Sequence, residues 1–367
     1  MKSDIQIINC HTHIFNRAIV PDRFLPAIVQ PIANLLQGDN TANGISHFFS
    51  LIGKKETALL IKRYNQFLKI GDLKSQLEIF KLLQQFYPVG TKFCVLTMDM
   101  EFMKAGKVKQ NFKSQLQELA TIKRDPAYKD LILPFIFIHP ERIGLFSLVR
   151  KYIEEEQFTG LKMYPPLGYY PFDERLNQVF AYAEAYGIPI TSHCARGGVF
   201  YQGAITSEMR KHPITGKVYP YNKNKFFTDI YTDPDNYEYL FAKYPNLKVN
   251  LAHFGGFDEW EKYLQNTIDN TGELNWYEKV KAVLINHKNA FSDISYTLFE
   301  KDLIPLLNIT LQDPLIKDRV LFGTDYYMVE QQASEKEFSI NLRASIGEDN
   351  YRLIAEQNPK RFLNLNY

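Results

Sequence analysis

Eight short segments rich in β-branched and aromatic residues recur along the 367 residues of this chain, and most are followed by a helical pattern. They fall at 5–9, 93–97, 132–137, 160–163, 188–191, 247–251, 290–294 and 320–323. Strands joined through helices run parallel. The order therefore predicts an α/β chain built as one (β/α)8 TIM barrel over residues 1–367. Pro134 and Pro189 sit near the start of the third and fifth segments, where a missing ladder donor blurs the strand beginning.

Between the strands, Leu73, Leu77, Phe80 and Leu83 recur at three- and four-residue spacing, as on one helix face. Asp173 reads as the cap of a helix that ends at Gly187, with Leu176, Val179, Phe180 and Ala183 as its apolar stripe. Residues 349–365 read as a closing helix bent near Pro359. Two connections exceed what a βα unit needs. A helical insertion of about 15–90 follows strand one, and a Tyr/Asn/Lys-rich loop of about 197–235 follows strand five. Both are expected to roof a site at the barrel rim.

Composition excludes several classes. With 43 basic and 41 acidic side chains the formal charge is +2, without long basic runs, so nucleic acid is not an expected partner. The longest apolar stretch, 131–138, falls far short of the roughly 20 residues that span a bilayer. Asp4, Asn9, His11 and His13 interrupt any signal-peptide core, so export is not expected. Three dispersed cysteines, Cys10, Cys94 and Cys194, form neither a CxxC nor a disulfide framework and point to a reducing, cytoplasmic setting.

The chemistry gathers at strand ends. His11 and His13 flank Thr12 after the first strand, where two-residue periodicity sends both imidazoles to one face. His193 follows the fifth strand, His253 the sixth and Asp325 the eighth. In a (β/α)8 barrel these C-terminal ends share one rim. His11, His13, His193 and Asp325 then offer the N/O donor set of Zn²⁺, which also accommodates Mn²⁺ or Fe²⁺, with a position left open for water.

The motifs Cys10-His-Thr-His13, Gly160-Leu-Lys-Met-Tyr-Pro165, Thr191-Ser-His193, Leu251-Ala-His-Phe-Gly-Gly256 and Gly323-Thr-Asp325 resemble the successive motifs of the amidohydrolase superfamily. The similarity is greatest to the branch that includes aminocarboxymuconate-semialdehyde decarboxylase, and Asn358-Pro-Lys-Arg-Phe-Leu363 resembles that branch's last helix. The resemblance covers almost the whole chain. It implies His11, His13, His193 and Asp325 as ligands of one divalent metal, zinc first, and His253 as a polarising or acid/base group beside it. A second metal bridged by a carboxylated Lys162, as in binuclear relatives, is the lesser reading.

The expected activity is hydrolysis of an amide, lactone or related carbonyl compound, with Asp325 and His253 as catalytic groups. Nonoxidative decarboxylation of an aromatic or unsaturated carboxylate is the runner-up, and a non-catalytic metal- or metabolite-binding protein the third reading. Arg196, Tyr164, Phe15 and Lys162 are candidate contacts for a small carbonyl or carboxylate substrate, with Arg17 and Arg142 weaker. His139 is placed at the border of the site, and His47, His212 and His287 are read as surface or structural. The pattern leaves homo-oligomerisation open.

Overall fold

In a computed structural model, residues 5–23, 66–265, 274–299 and 301–365 are described. Eight parallel strands run in sequence order: β1 (Ile8–Thr12), β2 (Lys92–Leu96), β3 (Ile132–Phe137), β4 (Gly160–Met163), β5 (Ile190–Ala195), β6 (Val249–Gly255), β7 (Ala290–Asp293) and β8 (Val320–Leu321). The last meets the first: Cys10 N donates to Phe322 O at 2.8 Å and Asp325 N to His11 O at 2.8 Å. Helices surround the strands, as a TIM barrel requires.

The barrel interior is packed rather than open. Ile8, Cys10, Cys94, Leu133, Phe135 and Leu321 fill it together with Phe362 and Leu363 of the closing helix Asn358–Leu363. That helix lies at the N-terminal end of the strands, where Asn364 donates to Gly187 O at 2.7 Å and Lys248 to Arg361 O at 2.5 Å. With one end plugged, the C-terminal end is left as the mouth. Among the described residues no helix is long and apolar enough to cross a membrane.

Several elements differ in detail from the sequence reading. β1, β5 and β6 extend three to four residues further towards their C-termini than expected, so His11, His193 and His253 lie in strands rather than after them. Polar residues end an apolar run in sequence, but here they point into a mouth that satisfies them. The helix Gln76–Gln84 buries Ile79, Phe80 and Leu83, a stripe rotated from the one expected, with Leu77 only half-buried. Asp173 caps a short turn, Glu174–Leu176, ahead of the helix Asn177–Tyr186. Gly187 ends that helix at φ 64°, its N–H reaching the carbonyls of Ala183 and Glu184. The closing segment continues a helix that begins at Glu335 and is kinked at Gly347 (φ 79°), and its own irregularity is a π-type turn over Leu353–Gln357, ahead of Pro359. Pro359 instead begins the last helix, where its missing N–H costs nothing. The insertion after β1 falls mostly outside the described residues. The covering loop after β5 carries its own helix, Asn224–Thr232.

A buried carboxyl ties β1 and β8 to the outer layer. Glu335 Oε1 accepts from Tyr87 Oη at 2.5 Å and Thr324 Oγ1 at 2.8 Å, while Asn9 Nδ2 donates to both of those hydroxyls. Burial pushes the Glu335 carboxyl up to about 8 despite those hydrogen bonds. A folded pKa above the unfolded one means that stability is complete below about pH 4.5 and is lost as pH rises through about 8. Glu335→Gln should therefore flatten this dependence. Melting temperatures at pH 5.5 and 8.5 are expected to differ by several degrees less in the variant than in the parent protein; an unchanged pH dependence would refute the assignment.

Candidate metal centre

Two local devices aim the side chains. The β1–β2 register shifts between Asn9 and Thr12. Ile8 and Cys10 can therefore fill the barrel interior while His11 and His13 face the mouth, because one extra residue reverses which face alternate residues occupy. The second device is backbone strain: His253 (φ 71°) and Asp325 (φ 63°) are held in the left-handed region that non-glycine residues rarely adopt. Hydrogen bonds fix both. His253 N donates to Asp293 Oδ1 at 3.1 Å, Thr297 Oγ1 to His253 O at 2.6 Å, and Asp325 N to His11 O at 2.8 Å.

The protons follow from the partners. Carboxylate and carbonyl oxygens only accept, so His11 Nδ1–H donates to Asp293 Oδ2 at 3.0 Å, His13 Nδ1–H to Leu96 O at 2.8 Å and His253 Nδ1–H to Ser295 O at 2.9 Å. In the neutral imidazoles each Nε2 is then a bare lone pair. His11 Nε2 and His13 Nε2 lie 3.4 and 3.2 Å from one oxygen, Asp325 Oδ1. Three acceptors facing one another in a buried mouth repel unless a cation lies among them. His193 lines the same cavity, its Nε2 buried and, like His11 Nε2, without a hydrogen-bond partner among the described residues.

Electrostatics agree with neutral ligands around an ionised acid. Burial lowers His11 to about 4 and lowers His253 and His193, the last also under the influence of His253, Lys162 and His11. Burial alone would raise Asp325, and its carboxyl falls below the usual range only when a hydrogen-bond donor or positive charge faces it from the side of His13 and His11; with those imidazoles neutral, a cation in the mouth would supply that charge. The donor set therefore fits a divalent cation with nitrogen and oxygen ligands. His11, His13 and Asp325 offer donor atoms within 4.8 Å of one another. His193 lies outside that group, its ring 4.8 Å from the His253 ring and 4.5 Å from that of Tyr164. A second group, His11, His253 and Asp293, also has its donor atoms within 4.8 Å of one another. Its atoms are consumed by hydrogen bonds to one another and to Ser295, so it is an orienting network rather than a second cation site.

Lys162, buried at the end of β4, lines the mouth near Asp325 and Asp293, and burial lowers its amine to about 8. Tyr164 Oη accepts from Val199 N at 3.1 Å and keeps its own proton for the cavity. A methyl at Gly198 would meet that oxygen at 2.6 Å and His193 Nε2 at 3.5 Å, so the loop passes against both groups. Phe15 packs on His13 with ring centroids 5.2 Å apart. Arg196 lies at the rim, 4.4 Å over the Trp276 ring, with Nε on Glu259 at 3.0 Å and Nη1 on Asp229 at 3.3 Å. Arg17 also lines the cavity.

Other candidates are elsewhere. Arg142 is held by Asp99 between the rings of Phe102 and Phe112, and His139 stacks on Phe102 at 3.9 Å. Neither lines the cavity. His212 is buried rather than at the surface, and its Nδ1 accepts from the N–H groups of Ile214 and Thr215. His287 pairs with Glu238 at 2.7 Å, and His47 lies outside the described residues.

Sequence reasoning missed Asp293, Ser295 and Asn250. All three are fully buried around the imidazoles. The available signal was a carboxylate at the end of an otherwise apolar strand, which must find donors or a cation to be buried.

The cavity above these groups measures about 1360 Å³, and Met98, Met100, Met103, Phe67, Val199 and Phe299 contribute apolar wall. The sequence model of the amidohydrolase family matches residues 83–365, three quarters of the chain. The chain belongs to the amidohydrolase family. This family is metal-dependent, and the mouth described above is where its cation would be held. No curated protein matches the sequence. Among solved structures, an uncharacterised TIM-barrel protein from Bordetella bronchiseptica is similar with 16% identity and a TM-score of 0.56, over 98% of each chain. A 5-carboxyvanillate decarboxylase from Novosphingobium aromaticivorans, solved with manganese and 3-methoxy-4-hydroxy-5-nitrobenzoic acid, is 14% identical with a TM-score of 0.56, over 99% of this chain and 98% of its own. At such identities the likeness concerns the barrel.

Because a ligand that binds only the folded state stabilises it, Mn²⁺ or Zn²⁺ added to the chelator-stripped protein should raise its melting temperature. His13→Ala should abolish most of that rise; a variant stabilised as much as the parent would place the cation elsewhere.

Proposed function

We propose that the protein is a metal-dependent hydrolase acting on an amide, lactone or related carbonyl compound with an apolar body. The observation that carries this reading is the Asp325 carboxylate, ionised and facing two bare imidazole nitrogens at 3.2 and 3.4 Å beneath an open cavity. His11, His13 and Asp325 would hold the cation, with His193 as the fourth protein ligand. One cation is proposed, zinc or manganese. When bound, it supplies Lewis acidity that polarises a carbonyl and acidifies water.

The remaining work falls to the chain. Asp325 accepts the proton of the attacking water and returns it to the leaving group. His253 Nε2 is an acceptor in the tautomer fixed by Ser295 O, so it would hold an oxyanion only after taking a proton from solvent, separate from the water proton that Asp325 handles. Tyr164, whose phenol burial pushes upward, stays neutral and donates from the β4 side. Lys162 supports a substrate carbonyl or carboxylate, and Phe15 with the methionine wall packs its apolar body.

Nonoxidative decarboxylation is the second reading, favoured by the Arg196 guanidinium stacked on Trp276 beside aromatic wall residues, which suits a flat unsaturated carboxylate. Product masses separate the two. Metal-loaded protein incubated in H₂¹⁸O with lactones, amides and aromatic carboxylates should yield an ¹⁸O-labelled acid; loss of carbon dioxide with no label would reverse the order of the readings. Asp325→Asn should lower kcat by about 10²–10⁴-fold, the range for a displaced acid/base group. An unimpaired variant would remove Asp325 from the mechanism.

A further inference from the structure

Asp293, at the end of β7, is fully buried and accepts five hydrogen bonds. Oδ2 takes His11 Nδ1–H at 3.0 Å and Asn250 Nδ2 at 2.7 Å. Oδ1 takes the N–H groups of His253 and Ser295, both at 3.1 Å, and the Ser295 hydroxyl. A carboxylate that can only accept dictates where each of those protons must be. Ser295 has spent its hydroxyl proton on Asp293, so its oxygen can only accept where it lies 3.0 Å from both His11 Nδ1 and His253 Nδ1. One acid thereby joins β1, β6 and β7 in a single proton arrangement.

We propose that Asp293 is the positioning residue that sets the tautomer of His11, and through it the affinity of the mouth for its cation. It is not among the residues that line the cavity, and it acts by keeping the His11 proton on Nδ1 so that the Nε2 lone pair faces inward, as the Ser295 carbonyl does for His253. Outer-shell carboxylates on ligating histidines raise ligand basicity and fix ring orientation in just this position. The inference rests on the metal-dependent reading above.

Asp293→Asn isolates the effect because it preserves size and removes one acceptor. The amide is best tolerated with nitrogen on the Oδ2 side, since the Oδ1 side faces two backbone N–H groups and a hydroxyl. Asn250 can adapt by rotating its amide, because its Oδ1 now has no partner. His11 can adapt only by moving its proton to Nε2, where it blocks the lone pair aimed at Asp325.

The test uses full-length, metal-stripped protein. Mn²⁺ and Zn²⁺ affinities are measured by chelator competition, and imidazole tautomers by long-range ¹H–¹⁵N correlation. Asp293→Asn should bind about 10–100-fold more weakly and shift the His11 proton from Nδ1 to Nε2. Ser295→Ala, which retains the carboxylate and the residue-295 carbonyl, should lose far less. Equal affinity and an unchanged His11 tautomer in a folded Asp293→Asn protein would overturn the proposal. If that variant does not fold, the parent protein's spectrum still decides, because a His11 proton on Nε2 contradicts it. A parent protein that binds neither metal, yet shows the Nδ1–H tautomer, would sink the metal-dependent reading and not the tautomer assignment.

Discussion

Acceptors that face one another without a proton between them are the constraint on which the mouth of this barrel depends. His11 and His13 have each committed their Nδ1 proton to an oxygen behind them, so both present lone pairs to the ionised Asp325. Burial removes the water that would otherwise separate these groups, and an uncompensated arrangement of this kind costs several kcal/mol. The backbone is arranged to enforce it, with a register shift in β1 and left-handed conformations at His253 and Asp325. A fold that accepts such strain at two positions of its rim and packs the rest of its interior with apolar side chains has concentrated its polar demand in one place.

The architecture explains why that place is the C-terminal rim. Phe362 and Leu363 close the opposite end. The covering loop after β5 passes over the rim, held by Val199 N to Tyr164 Oη, Tyr201 N to Pro166 O and Gln202 N to Met103 O, and braced within itself by Asn224 on the carbonyls of Tyr201 and Gly203. The cavity below thus has a polar floor made by strands and apolar walls made largely by connections. In a TIM barrel this division lets the chemistry stay fixed while the connections choose the substrate.

Much of this was legible in the sequence. The eight strands, their order and the inward direction of the HxH pair follow from patterning, and ordered motifs over the chain identified the amidohydrolase superfamily. Strand ends are harder: patterning places the ends of β5 and β6 at Thr191 and Leu251, ahead of their histidines, whereas both strands continue through His193 and His253 into the mouth. The rotated stripe of Gln76–Gln84 and the kink at Gly347 depend on tertiary packing that local periodicity does not carry. Arg196 illustrates the same limit, since its pairing with Glu259 and Asp229 joins residues 33 and 63 positions away. Asp293 lies beyond such reading because nothing next to it in sequence signals that an imidazole from β1 and a backbone N–H from β6 will converge on it.

Crystals grown with Mn²⁺ or Zn²⁺ and measured at the metal's absorption edge test the central claim most directly. An anomalous peak within about 2.0–2.3 Å of His11 Nε2, His13 Nε2 and an Asp325 oxygen is the predicted result. A peak ligated by other residues, or none at the mouth of a fully metal-loaded protein, would contradict the account.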